Sequence, residues 1–368
     1  MRRFGIILLS FLVHESGGTI DTPPPERIYC PLTITGDQLM GLQIRAGLAT
    51  DPLLDTSPYV VEMIVDTGAK HSVIMDPRIP ATMMSSTQLA QNLIPYQFAR
   101  FSVTQHGTNQ SPLVTVGCNV PIQIPEYSLA MAPALKQDLG ETIKGILGFS
   151  QDKFRDSNVL FLLNSVPDWY SLAIHVPSVL QPHTSSDASI TINRKVRPGS
   201  LRKYDNPGPY LHVNSKHYWS TVITRLKMIG ENANEVIITA PDGKQLSVIF
   251  DTGSNYFWAT SGIWNQIDDA ISAGNKGFVI DTKAYSDINT DSKPFDVSLR
   301  FPSDETGDFD KNLNRDFTVE RIDQSRFDDL AKHEILVVGT LGLRGKTLRI
   351  FAKDSSPKRG EFVISVTN

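Results

Sequence analysis

The tripeptide Asp-Thr-Gly occurs twice, at Asp66-Thr67-Gly68 and at Asp251-Thr252-Gly253, and each copy follows a run of β-branched and apolar residues. Val61-Glu62-Met63-Ile64-Val65 leads into the first copy and Leu246-Ser247-Val248-Ile249-Phe250 into the second. Each segment reads as a strand delivering a carboxylate to a tight turn that the glycine permits. One copy alone would be an ordinary turn. Two copies in matched settings imply two related halves that bring their carboxylates to a common seam. Paired carboxylates can share a proton, which is the basis of acid–base chemistry.

A second repeat supports the duplication. Gly145-Ile146-Leu147-Gly148-Phe149 places a glycine 82 residues after Asp66, and Ile335-Leu336-Val337-Val338-Gly339 places one 88 residues after Asp251. An apolar pair ending in glycine suits a strand that passes close beneath another backbone. The rest of the chain reads as short strands between Gly, Pro, Asn and Asp breaks, for example 42–46, 98–104, 113–116, 189–192, 217–228, 235–239 and 348–352. Helical periodicity is confined to 150–164 and 262–273. The expected class is all-β with a few short helices.

At 368 residues, with 40% hydrophobic and 20% charged residues, the chain is long enough for two domains and is not of disordered composition. Its net charge of −4 offers no general field for nucleic acid, so the cluster Arg194, Lys195, Arg197, Arg202 and Lys203 reads as a solvated loop. Arg2 and Arg3 before an apolar run at 4–13, with small residues at 16–18, read as a signal peptide over 1–18 and point to the secretory pathway. No later run is long and apolar enough to suggest stable membrane insertion. The Thr22-Pro23-Pro24-Pro25 stretch places 19–30 as a short linker or vestigial pro-segment, and 198–209, rich in Pro, Gly and charge, reads as the connector between halves. The two cysteines, Cys30 and Cys118, could close one disulfide, and neither has a neighbour at metal-ligand spacing.

With both Asp-Thr-Gly copies 185 residues apart, both apolar-Gly segments, Tyr218-Trp219 with Met228-Ile229-Gly230, and the stretch from Val337 through Phe351, the chain resembles the two-lobed, pepsin-like aspartic proteases over roughly 36–368. The resemblance implies an all-β, two-lobed fold. An N-terminal lobe would span 31–197 and a C-terminal lobe 210–368. Asp66 and Asp251 would be the catalytic dyad, supported by Thr67, Gly68, Thr252, Gly253 and Ser254. The reaction implied is hydrolysis of polypeptide substrates by a monomer, in secretion or in an acidic vesicle. A water would be activated between two carboxylates, with no metal, cofactor or covalent intermediate.

Three positions depart from the family pattern. Ala69 stands where a hydroxyl residue commonly bonds the adjacent carboxylate, a position that Ser254 keeps in the second copy. The segment aligned with the family's flap presents Gln105, His106 and Gly107 in place of a tyrosine. Lys70 and His71 follow the first motif without the usual tryptophan, and read as solvated loop residues; Tyr256 and Trp258 after the second read as packing or cleft-wall residues. An aspartic endopeptidase is thus one expectation, and a catalytically weak or inactive binding protein on the same fold is the alternative.

Overall fold

The computed structural model describes residues 27–34, 42–49, 59–69, 72–74, 93–97, 102–107, 113–116, 122–124, 129–131, 145–150, 169–178, 187–194, 209–230, 235–286, 293–303, 317–352 and 362–368. Residues 1–26, the sequon at Asn109, Cys118, Lys70, His71 and most of the connector lie outside the described residues.

The apolar segments ahead of both motifs form strands, Tyr59–Asp66 and Gln245–Phe250. Each is flanked by a parallel neighbour, Gly145–Gly148 in the first half and His333–Val338 in the second. Parallel strands buried on both faces need continuous rather than alternating apolar sequence, and the runs Ile146-Leu147 and Ile335-Leu336-Val337-Val338 supply it. The duplication extends strand by strand. In the first half Leu42–Ala49 runs antiparallel to Tyr59–Asp66, then Gly145–Gly148 parallel, Ser72–Ile74 antiparallel and Leu129–Met131 parallel. Ser220–Gly230, Gln245–Phe250, His333–Val338, Phe257–Thr260 and Val319–Ile322 repeat the same order and the same directions.

The sheets do not divide at the connector as two lobes would. One sheet has ten strands, all from the first half. The other has fourteen and takes Arg27–Pro31, Trp169–His175 and Ser189–Arg194 from before the connector. They join it where Trp169–His175 pairs antiparallel with Thr347–Ala352. The two-lobed, pepsin-like class with a few short helices is therefore corrected. The described residues form a mostly-β protein with one sheet shared between the halves, one α-helix and two 3-10 turns. No described helix is long and apolar enough to cross a membrane.

One local difference has a physical reason. The 19–30 segment ends in strand rather than linker, because Ile28, Cys30, Leu32 and Ile34 alternate inward against exposed Arg27, Tyr29, Pro31 and Thr33. Cys30, on this strand, is disulfide-bonded. Of the strand expected over 98–104, residues 102–104 fall in Ser102–Gly107, which pairs antiparallel with Leu93–Gln97, and 98–101 lie outside the described residues.

The helix, Ser261–Ser272, buries Ile263, Ile267 and Ala270 at helical spacing. Its N-cap Thr260 makes no side-chain cap. The buried Glu334 carboxylate takes that place, accepting the Gly262 N–H at 3.0 Å and the Thr260 hydroxyl, and pairing with Lys244 Nζ at 2.5 Å. A negative charge there offsets the positive end of the helix dipole. Gly262 is required, since a Cβ would lie 2.4 Å from the Glu334 carboxyl carbon. Removing the cation leaves Glu334 buried and uncompensated. Lys244→Met is expected to cost about 3 kcal/mol, read as a lower urea midpoint with an unchanged slope.

Candidate functional site

The two Asp-Thr-Gly turns meet face to face through their threonines. Thr67 Oγ1 donates to Phe250 O at 2.8 Å, and Thr252 Oγ1 donates to Val65 O at 2.7 Å. In return Thr67 N donates to Thr252 Oγ1 at 3.2 Å and Thr252 N to Thr67 Oγ1 at 2.9 Å. Both side chains are fully buried, so each hydroxyl must find its donor and acceptor inside the protein, and each does.

The apolar-Gly segments support the turns from below. Phe149 N donates to Asp66 O, and Asp251 N donates to Val338 O. Gly339 passes so close under the second turn that a Cβ would stand 2.3 Å from Tyr256 O and 2.6 Å from Ser254 O. Thr340 adds a hydroxyl bond to Thr252 O at 2.8 Å.

This frame sets Asp66 and Asp251 side by side, each half-buried. Asp66 Oδ1 accepts from Gly68 N at 2.8 Å and Ala69 N at 2.7 Å. Asp251 Oδ1 accepts from Gly253 N at 2.9 Å and, across the seam, from Gly68 N at 3.0 Å. Each motif glycine lies under the opposite carboxylate: a Cβ at Gly68 would meet Asp251 at 2.7 Å, and one at Gly253 would meet Asp66 at 2.0 Å. Burial, then the charge and hydrogen bond of Asp251, hold the Asp66 carboxyl well above the ordinary carboxylate range, against the pull of the Ala69 and Gly68 amides. Asp251 is also raised, by burial, although the Gly253 amide, Asp66 and the Gly68 amide draw it down. The pair is thus one hydrogen-bonded unit whose titration belongs to both carboxyls.

Ser254 does not complete the second copy as its sequence position suggests. Its hydroxyl accepts from the Trp258 indole, and its amide bonds the Asp251 backbone oxygen rather than the carboxylate. Ala69 has no hydroxyl to offer. The carboxylates are therefore held by backbone amides and by each other. Trp258, expected to pack or to line a cleft, packs with Tyr218 and Ile322 against Ile249, Phe327, Leu330, Ile335 and Val337. Gln105, His106 and Gly107 lie within Ser102–Gly107. Gln105 is opposite Ile94, and His106 is paired on both sides, to Leu93 and Met131.

Two residues that the sequence did not single out for the site complete it. Buried Trp219 donates its indole N–H across the halves to Phe149 O at 2.5 Å, and its carbonyl accepts from Phe250 N. Tyr218 donates its hydroxyl to Arg326 O at 3.0 Å; burial, then Asp329, Asp251, Asp328 and Asp66, push its phenol up to about 12. No sequence spacing marks either role, because both partners are remote. Among the described residues no group of three or more His, Cys, Asp and Glu is placed to hold a metal ion.

No family model matches the chain, and no curated protein matches it. Among solved structures it is similar to conglutin gamma, a basic 7S globulin from lupine seeds. Identity is 11%, covering 93% of this chain and 95% of that one, with a TM-score of 0.48. So distant a likeness transfers neither activity nor ligand. The assignment to the pepsin-like aspartic proteases is corrected, since neither search by sequence returns that family. The readings that depended on it are withdrawn, namely an aspartic endopeptidase, a hydrolase in proteolysis, and polypeptide substrates as partners.

A carboxyl raised by folding favours the folded state most where it is protonated, and its ionisation erodes stability as pH rises above the unfolded value of about 3.9. Asp66→Asn removes that loss. The variant is expected to be more stable than wild type to urea at neutral pH, with the advantage gone below about pH 3.9. Equal midpoints at both pH values would show that Asp66 is not raised.

Proposed function

We propose that the chain is a binding protein, catalytically weak or inactive, in which Asp66 and Asp251 act as a polar anchor for a ligand rather than as an acid–base pair. The observation that carries this reading is that, among the described residues, both carboxylates accept from backbone amides and from each other and neither accepts from a hydroxyl: Ala69 has none, and the Ser254 oxygen is turned to the Trp258 indole. A water-activating pair in acid needs one member ionised there, as strong hydrogen bonds to the anion provide. Here burial raises both. A proton-sharing pair offers one O–H donor and several acceptor sites, which suits a neutral ligand group such as a hydroxyl or carbonyl. Export along the secretory route belongs to the same proposal, and the disulfide at Cys30 supports it.

The test uses the full chain with an unfolded protein as substrate across about pH 3 to 7, the range in which a carboxylate pair changes its proton count. Binding of pepstatin, a peptide bearing a secondary hydroxyl, is followed in parallel by calorimetry. The expected result is no turnover, with binding that Asp251→Asn weakens. Cleavage in acid that Asp251→Asn abolishes would overturn the proposal, as would wild-type protein that neither cleaves nor binds.

A further inference from the structure

A second polar cluster is built around Ser247, on the strand Gln245–Phe250 that leads into Asp251. Ser220 Oγ donates to Asn214 Oδ1 at 2.6 Å, Asn214 Nδ2 donates to Ser247 Oγ at 2.8 Å, and Ser247 Oγ lies 2.8 Å from His333 Nδ1. Ser220 and Ser247 are fully buried. A serine hydroxyl carries one proton and two acceptor sites, so with Asn214 donating to Ser247 the Ser247 proton can go to a neutral His333 that is unprotonated at Nδ1. A protonated ring makes Nδ1 a donor, and the Ser247 proton loses this acceptor.

The charge that acts on His333 is Asp329, from the 3-10 turn Asp328–Leu330. Its Oδ2 holds the 215–218 turn, accepting from Ser215 Oγ at 2.7 Å and Lys216 N at 2.6 Å, while its Oδ1 is buried without a partner. Ser215 Oγ in turn accepts from His217 N and Tyr218 N. On the strand of His333 itself, Glu334 is committed to Lys244 and the helix N-terminus. From Gln245–Phe250 and from the 214–220 segment the groups that reach His333 and Ser247 are uncharged, and Lys216 is exposed.

We propose that His333 is an acid-sensitive latch: protonation breaks its bond with Ser247, draws Asp329 onto the imidazolium, and loosens the 214–220 turn. That turn precedes Trp219, whose indole reaches Phe149 O, and Phe149 N bonds Asp66 O. The latch thus connects solution pH to the backbone beneath the carboxylate pair. Burial lowers the His333 pKa from its usual value. A histidine depressed in this way contributes stability that is present at neutral pH and is lost as pH falls through the usual value of about 6.5.

Hydrogen exchange of the peptide spanning 214–220, corrected for intrinsic rates, measures the latch in the full-length protein. In wild type, protection is expected to be constant at neutral pH and to fall by up to about tenfold per pH unit as pH drops from about 6.5 towards the depressed His333 value. His333→Asn keeps an acceptor near Nδ1 but does not titrate, and its protection is expected to stay flat across the same range. Asp329→Asn deprives the imidazolium of its partner and should move the midpoint to lower pH; it carries the test if His333→Asn does not fold. His175 is also lowered by burial but sits on Trp169–His175 beside Thr347, so His175→Asn should leave the response unchanged. Wild-type protection that ignores pH, a His333→Asn variant that opens in acid as wild type does, an unmoved midpoint in Asp329→Asn, or a response abolished by His175→Asn would each overturn the proposal.

Discussion

Everything at the seam depends on the reciprocal exchange between Thr67 and Thr252. Each threonine caps the strand end of the opposite half and receives the opposite amide, so neither turn is complete without the other. The arrangement brings the backbones so close that only glycine fits after each threonine, because the space of a Cβ is already taken by the opposite carboxylate. Two hydroxyls buried together would be costly if left unpaired, at about 1–3 kcal/mol for each orphaned group. Four mutual bonds remove that cost and fix the carboxylates at the same time.

The duplicated frame does not make the two copies chemically equal. Gly68 N serves both carboxylates, whereas Gly253 N serves Asp251, the carboxylate of its own turn. Asp66 therefore has two amides of its own turn, and Asp251 has one of its own and the cross-seam donor. In the second copy the Ser254 oxygen is turned to the Trp258 indole, and Asp251 accepts from amides instead. A pair held in this way is well suited to presenting hydrogen bonds and poorly suited to remaining ionised in acid.

Much of the frame was legible in the sequence. Gly148, 82 residues after Asp66, lies in the strand parallel to the first motif strand and opposite Asp66 in register, and Gly339, 88 residues after Asp251, directly follows the corresponding strand His333–Val338. The helix was visible through Ile263, Ile267 and Ala270 at its expected spacing. Three features were not legible, for physical reasons. The pairing of Trp169–His175 with Thr347–Ala352, which merges the halves into one sheet, joins segments remote in sequence and leaves no local signal. The capping of the helix by Glu334 involves a residue 72 positions after Gly262. The diversion of Ser254 to Trp258 is a choice of rotamer and partner that a motif does not encode. The Asp-Thr-Gly repeat specified where two carboxylates meet; it did not specify a protease.

Both carboxylates are raised, and they titrate as one pair. The most direct measurement is a pH titration of the side-chain carboxyl carbons of Asp66 and Asp251 by NMR in the full chain. The account predicts that both apparent pKa values lie above the ordinary aspartate value of about 3.9, with the higher step lost or displaced in Asp66→Asn. A pair in which one step falls well below that value would contradict it, since one carboxylate would then be a stable anion in acid, ready to act as a base.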